Sequence, residues 1–281
     1  MAKGIGLIGN FRGKVGNMVG YNLKDSNNKQ TQGVRVYQPV VKNPKTYAQA
    51  EQRAKLAPIN ATYRALKGII DRGQESKAYG NKSRLAWLKQ ALSEFNGGWF
   101  EKGAVIVSPA KCAITKGTLT NPINYEYDSD SQALAFTIPD APAQIATIGA
   151  FSAALLAAFP SLKEGDQLTF ILVKGGSKAI NCAPDSIVLD STSNTALPSV
   201  FTIEEGAVTY NGKGIGRAMA CAIVLSREGS QGEHLRSSEK LAFAVGGVTP
   251  EWDTPEGKEA AIKSYMAAGT TSDWPEEQIQ G

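Results

Sequence analysis

Histidine, cysteine and long apolar runs are what this chain has least of. Its 281 residues include one histidine, His234, and three cysteines, Cys112, Cys182 and Cys221. The cysteines are odd in number, far apart and contain no CxxC pair. That indicates neither a disulfide framework nor a zinc site, and it predicts free, buried thiols in a reducing compartment. With a single histidine in a polar stretch, and no GxSxG elbow, the chain nominates neither a metal cluster nor a nucleophilic triad. No apolar run reaches the roughly 18 residues of a membrane-spanning helix. The longest, Ile148 to Phe159, is interrupted by Gly149 and Ser152. No apolar core leading to a small-residue cleavage site follows the N-terminus, so a secretory signal is not expected. The adjacent acids Glu204-Glu205 and Glu276-Glu277 would point apart on a strand or tail and read as solvated charge.

What is present is an uneven charge. The formal net charge is only +4. Up to Gly103, however, 18 basic residues face six acidic ones, a balance of +12. The remaining 178 residues hold 12 basic and 20 acidic ones, a balance of −8. Asymmetry of this kind points to a partner of opposite charge for each half.

The texture changes along the chain in the same places. Residues 1–45 contain Gly4, Gly6, Gly9, Gly13, Gly16, Gly20 and Gly33 with single apolar residues between them. Each glycine adds backbone freedom that folding must remove, so an extended arm ordered by a partner is expected. Its last part, Val34 to Val41, alternates like an edge strand, with Pro39 lacking a ladder donor. Gly4-Ile5-Gly6-Leu7-Ile8-Gly9 spells GxGxxG, but no strand precedes it and more glycines stand where a helix should open. No cofactor is expected there.

Residues 46–103 read as helical. Thr46 and Gln49 fit a capping box, and Tyr47 to Ala57 is rich in helix formers. Pro58 is expected to kink that helix or open a second one. Ile59, Tyr63, Leu66 and Ile70 continue at helical spacing to Gly73. A third helix is predicted over about 83–95, with an apolar stripe of Leu85, Leu88, Leu92 and Phe95 and Trp87 beside it.

Residues 104–248 carry short apolar or alternating runs between Gly, Pro, Asn and Asp. Ten strands are predicted: 104–107, 112–115, 123–127, 134–138, 167–173, 187–189, 200–203, 207–210, 218–225 and 241–245. That rhythm predicts a β-sandwich or barrel. Ile148 to Phe159 stands apart as an Ala- and Leu-rich helix on or between the sheets. Gly212-Lys213-Gly214-Ile215-Gly216-Arg217 reads as a turn entering a strand. Residues 249–281 contain one helix, Pro255 to Ala268, with Pro at its first position and Gly269 after it, then an acidic tail.

The fold expected is therefore α+β: an extended basic arm (1–45), a helical segment (46–103), an antiparallel β-sandwich (104–248), and a C-terminal helix and tail (249–281). The residues nominated for contact with a neighbouring subunit or with phosphate are Arg12, Lys14, Tyr21, Lys24, Arg35, Tyr37, Lys42, Lys45 and Arg53. Cations neutralise phosphates, and Phe11, Tyr21 and Tyr37 offer rings for stacking. The competing use of the same cations is docking on an acidic region such as 104–281, in the same or another copy. Catalytic, cofactor-binding and metal-binding residues are not nominated.

One pattern is more specific. It runs Gly9-x-x-x-Gly13-Lys14-Val15-Gly16-Asn17-x-Val19-Gly20, then Arg35. It continues as Lys42-Asn43-Pro44-Lys45-Thr46-x-Ala48-Gln49-x-x-Gln52-Arg53. This resembles the N-terminal signature of a largely uncharacterised family of gut Bacteroidetes and of the phages that infect them. The likeness covers about residues 1–72; beyond that only the layout is shared. Members of the family often have Trp where Tyr21 or Asn22 stands here. The resemblance implies a sandwich of immunoglobulin or fibronectin-like character. It also implies a non-enzymatic structural component of a phage particle, in capsid, connector or tail, as a homo-oligomer beside other virion proteins, with nucleic acid as a further partner and no membrane. A nucleic-acid-binding protein is the first alternative. A host-surface adhesion module, using the exposed aromatics Tyr125, Tyr127 and Trp252, is the second.

Overall fold

The computed structural model describes residues 13–24, 30–37, 47–95, 100–101, 104–105, 113–142, 144–175, 180–213, 216–230, 232–243 and 254–268. The chain divides into two compact units, Met1–Lys45 and Thr46–Gly281.

In the first unit, the strands β1 (Gly13–Val15), β2 (Met18–Lys24) and β3 (Gln30–Val36) form an antiparallel meander. The expected arm is thus corrected for its described residues: they pair with one another. Two residues, Gly16 and Asn17, join β1 to β2, with Val15 opposite Met18. Gly16 has φ +56°, and glycine at the first position of a two-residue hairpin loop supplies the turn whose twist suits the strands. Of the glycines read as freedom, Gly16 is a turn residue, and Gly13, Gly20 and Gly33 lie in the strands.

The second unit begins with α1 (Tyr47–Ala65), α2 (Lys67–Gly73) and α3 (Asn81–Ser93). Pro58 lies inside α1, so of the two expectations, a kink or a second helix, no second helix opens there. Proline removes one helical hydrogen bond and crowds the preceding turn. Ala54, one turn earlier, is small and fully buried, and Ile59 beside the proline and Thr62 one turn on are buried, so packing holds the helix on both sides. α3 keeps most of its predicted stripe, with Leu88, Leu92 and Phe95 half-buried against the core. Its buried face is Ser83, Trp87 and Ala91, while Leu85 is 54% exposed. Ser83 sets this rotation: its hydroxyl donates to the Ile70 carbonyl (2.6 Å) and accepts from the Gln74 N–H (3.3 Å).

The strands follow. β4 (Phe100–Glu101) and β5 (Ala104–Val105) pair with each other. β6 (Tyr125–Asp128) and β7 (Ala133–Thr137) precede α4 (Ile148–Ala158). Then come β8 (Gln167–Gly175), β9 (Ile180–Cys182), β10 (Asp185–Val188), β11 (Phe201–Glu204) and β12 (Ala207–Tyr210). β13 (Arg217–Glu228), β14 (His234–Arg236), β15 (Ala242–Phe243) and α5 (Pro255–Ala268) complete the unit. A four-stranded sheet has the order β11-β12-β7-β6. A six-stranded sheet has the path β10-β8-β13-β14, with β9 on β8 and β15 on β13. All these pairings are antiparallel, and the described strands close no barrel. The strand expected at 112–115 is absent among its described residues. Ala113 makes only a single bridge to Lys240.

The central residues of β8 and β13 in the six-stranded sheet are buried on both faces. Leu168, Phe170 and Leu172 of β8, with Cys221, Ile223 and Leu225 of β13, meet the smaller sheet and α4. The alternate residues, Ile171, Val173, Ala220, Ala222 and Val224, meet Ile59, Leu66, Ile70 and Trp87 of the helical segment. Helices and strands after Thr46 therefore share one body in three layers. A strand covered on both sides needs an unbroken apolar run, which is what Ala218 to Leu225 supplies. In the inter-sheet core the Phe170 ring stands edge-on to Phe201, with centroids 4.9 Å apart and planes at 81°. Thr147 caps α4, its hydroxyl accepting from the Ala150 N–H at 3.2 Å.

Candidate functional site

Strand register gathers four of the nominated residues. Lys14 lies opposite Val19, and Val19 opposite Arg35, so all three side chains share one face of the meander. Tyr21 follows Val19 by two residues, and Tyr37 follows Arg35 by two, which keeps both rings on that face. The result is a row of two cations and two aromatics from three strands. The Lys14 ammonium lies 3.6 Å from the centroid of the Tyr37 ring. At that distance the ring quadrupole attracts the cation, about 0.5–1 kcal/mol at an exposed site. The Tyr37 N–H donates to the Asn17 carbonyl at 2.6 Å, which holds the ring beside the hairpin turn. Tyr21 lies across Gly33, whose absent side chain leaves room for the ring. A Cβ there would stand 2.7 Å from the Tyr21 Cζ.

The opposite face is apolar near the β1–β2 turn and polar toward the far end, where Asn22 pairs with Gln32 and Lys24 with Gln30. Met18 is paired with Val36, and Gly20 with Val34. These side chains are exposed to 39%, 72% and 52% for Met18, Val36 and Val34. A small sheet with an uncovered aliphatic face and a cationic-aromatic face offers two surfaces of different chemistry.

The other nominated residues divide. Lys24 pairs with Gln30 at the far end of the hairpin. Arg53 is exposed on α1, in the second unit. Arg12, Lys42 and Lys45 lie outside the described residues, as do the GxGxxG stretch, Cys112, Trp252 and the acidic tail. What sequence reasoning missed is the apolar face. The alternation of Val34 and Val36 was visible, but its partner Met18 comes from another strand.

The buried ionisable groups serve the architecture. Asp166 is buried and accepts two bonds from Arg227, at 2.6 and 2.7 Å, which raises the guanidinium pKa. The Tyr125 hydroxyl donates to the Glu239 carboxylate (2.8 Å) and the Lys240 carbonyl (3.0 Å). Tyr127 donates to the Ala218 carbonyl at 2.8 Å. Both tyrosines are half-buried, which corrects the expectation that they are exposed aromatics. Burial pushes the Cys182 and Cys221 thiols up to about 12. Gly212 and Gly216, at φ +57° and +128°, lead into β13 as a turn would. Among the described residues, no group of three or more His, Cys, Asp and Glu side chains is placed to hold a metal ion. No described helix is long and apolar enough to cross a membrane. Compared with protein-family models, with curated proteins and with solved structures, the chain matches none.

Proposed function

We propose that this chain is a non-enzymatic structural protein of a phage particle, located in the virion, which assembles with copies of itself through its N-terminal unit. One observation carries the reading: the meander exposes Met18, Val34 and Val36 together on one face and Lys14 and Arg35 with two tyrosines on the other. An isolated small sheet with a bare aliphatic face gains stability by covering it. The cationic face suits an acidic neighbour, and residues 104–281 are acidic overall. The resemblance of residues 9–53 to a family of Bacteroidetes and their phages supplies the virion context. Other virion proteins are partners in the same reading. An immunoglobulin-like sandwich for 104–248 belongs to it too, supported by two antiparallel sheets that share one core.

The test is the molar mass of the full chain in solution, by light scattering after gel filtration. The wild type is expected as a homo-oligomer. The triple variant Met18→Ser, Val34→Ser, Val36→Ser is expected to fall to the monomer, with the second unit's circular dichroism kept. A monomeric wild type with a protease-resistant N-terminus overturns the reading.

The Lys14, Arg35, Tyr21 and Tyr37 row favours one second reading, binding of nucleic acid, since cations and rings together suit a single strand. Filter binding of single- and double-stranded DNA at two salt concentrations separates the readings. Affinity that falls steeply with salt supports the second.

A further inference from the structure

The six-stranded sheet is only partly roofed. On its helix-side face, Ile171, Val173 and Ala222 are buried under the helices. Toward the other end of the same strands, the alternation passes from the buried Val224 to half-buried and exposed, mostly polar residues. Strand register arranges them in cross-strand rows. Ser186, Thr169 and Val224 form one row, Val188, Gln167, Ser226 and Arg236 the next, and Glu228 with His234 the last. This floor, four strands wide, is walled by Lys67, Asp71 and Arg72 of α2 and by Tyr79. Together they enclose an open cleft of about 900 Å³. That is within the range of roughly 300–1,000 Å³ typical of ligand sites.

The chemistry of the lining selects the ligand. The Thr169 and Ser186 hydroxyls are paired at 3.0 Å, and Arg236 donates to the Ser226 hydroxyl at 3.1 Å. Hydroxyls, an amide, guanidinium forks and carboxylates are both donors and acceptors, held at neighbouring strand positions about 4.8 Å apart. The lining holds four cations, Lys67, Arg72, Arg227 and Arg236, against two carboxylates, Asp71 and Glu228, and carboxylates behind the lining offset two of the four. Arg227 is held by the buried Asp166, Arg236 lies close enough to Glu75 to help lower its pKa, and Asp71 and Glu228 oppose Lys67 and Arg72. A polyanion would need a surplus of cations, which this cleft lacks. Tyr79, 53% exposed, stands over His234 with ring centroids 6.1 Å apart and the Arg72 guanidinium 6.0 Å from its centroid. That stack fixes an exposed aromatic ring at the rim.

We propose that this cleft binds a neutral oligosaccharide. Pyranose rings lie across the rows of polar side chains, and one apolar sugar face rests on Tyr79. Strand spacing is close to the length of one pyranose along an extended glycan, so adjacent rows address adjacent hydroxyl groups. The site is separate from the N-terminal meander and does not depend on how that unit assembles.

Saturation-transfer NMR on the full chain tests this. The neutral probes are cellohexaose, xylohexaose, maltohexaose, mannohexaose and chitohexaose, and a heparin hexasaccharide is the charged probe. At least one neutral probe is expected to bind with a Kd of about 1 mM or tighter. Tyr79→Ala and the double variant Thr169→Val, Ser186→Ala are each expected to weaken it at least about tenfold, a loss of about 1.4 kcal/mol. Met18→Ser, in the other unit, leaves it unchanged. Circular dichroism checks that each variant is folded, and either cleft variant alone is sufficient. Absence of any neutral binder overturns the proposal. So does binding of heparin alone, or neutral binding that both cleft variants leave intact.

Discussion

The ammonium of Lys14, on the first strand of the meander, lies 3.6 Å above the ring of Tyr37, just beyond the third. The contact ties the two edges of the small sheet across β2. A double-mutant cycle of Lys14→Met and Tyr37→Leu is expected to give a coupling of about 0.5–1 kcal/mol. Hydrogen exchange of the β1–β3 amides is the readout, because those amides report opening of the first unit directly. A coupling near zero would mean that the cation and ring act independently.

Gly33 and Tyr21 make a second relationship of the same sheet. Replacing Gly33 by Val would set a side chain where the Tyr21 ring lies, 2.7 Å from its Cζ at the Cβ alone. The ring must swing away, and the β2–β3 amides are expected to exchange faster. Tyr21→Ala in the same chain removes the clash. If the single variant protects those amides better than the wild type, the stacked position of Tyr21 is wrong.

Two carboxylates should move stability with pH in opposite directions. Burial raises the Glu75 pKa, but the Arg236 N–H (2.9 Å), the Thr118 N–H (3.0 Å) and the Thr118 hydroxyl (2.9 Å) outweigh it, with the Arg236 charge adding to them. The net shift is downward. A depressed carboxylate stabilises the fold above its unfolded value, and that contribution is lost as pH falls through the folded value. For Glu239, burial dominates over hydrogen bonds from Ser237, Tyr125 and Asn121, and the net shift is upward. Its contribution is full below the unfolded value and falls as pH rises through the folded one. Urea midpoints from pH 3 to 8 check this. Glu75→Gln is expected to flatten the acid limb, and Glu239→Gln the decline above the usual Glu range.

The thiols give a chemical prediction. Cys182 and Cys221, pushed up to about 12 by burial, hold almost no thiolate near pH 8. In a Cys112→Ser background, iodoacetamide is expected to label neither while the chain is folded and both in urea. Mass spectrometry reads the outcome. Rapid labelling of native Cys221 would show that the strand carrying it opens readily.

Short-range signals made part of this molecule readable. Ile148 to Phe159 was recognisable as a helix, and α4 spans Ile148–Ala158, because composition and a capping Thr147 act within one turn. Pro255 opens α5 for the same local reason. Most strands after residue 123 stood near their predicted places, since turn residues bracket each apolar run. The failures had non-local causes. In α3, leucine spacing placed Leu88, Leu92 and Phe95 against the core, but Leu85 lies exposed, because the helix centres its buried face on Ser83, whose hydroxyl bonds the Ile70 carbonyl, and on Trp87 and Ala91.

The candidate sites divide in the same way. Sequence alone determined which residue types are available: cations and tyrosines early, an acidic β-rich remainder, and a single histidine. Only tertiary structure decided which of them meet. Register set Lys14, Arg35, Tyr21 and Tyr37 on one side of the meander and Met18, Val34 and Val36 on the other. It also put Ser186, Thr169, Ser226 and His234 on one floor, though they come from four strands. The physical reason is that the strand period of two tells which residues share a side, but not which strands become neighbours. That second choice rests on burial of the apolar faces, which is a property of the whole packed chain.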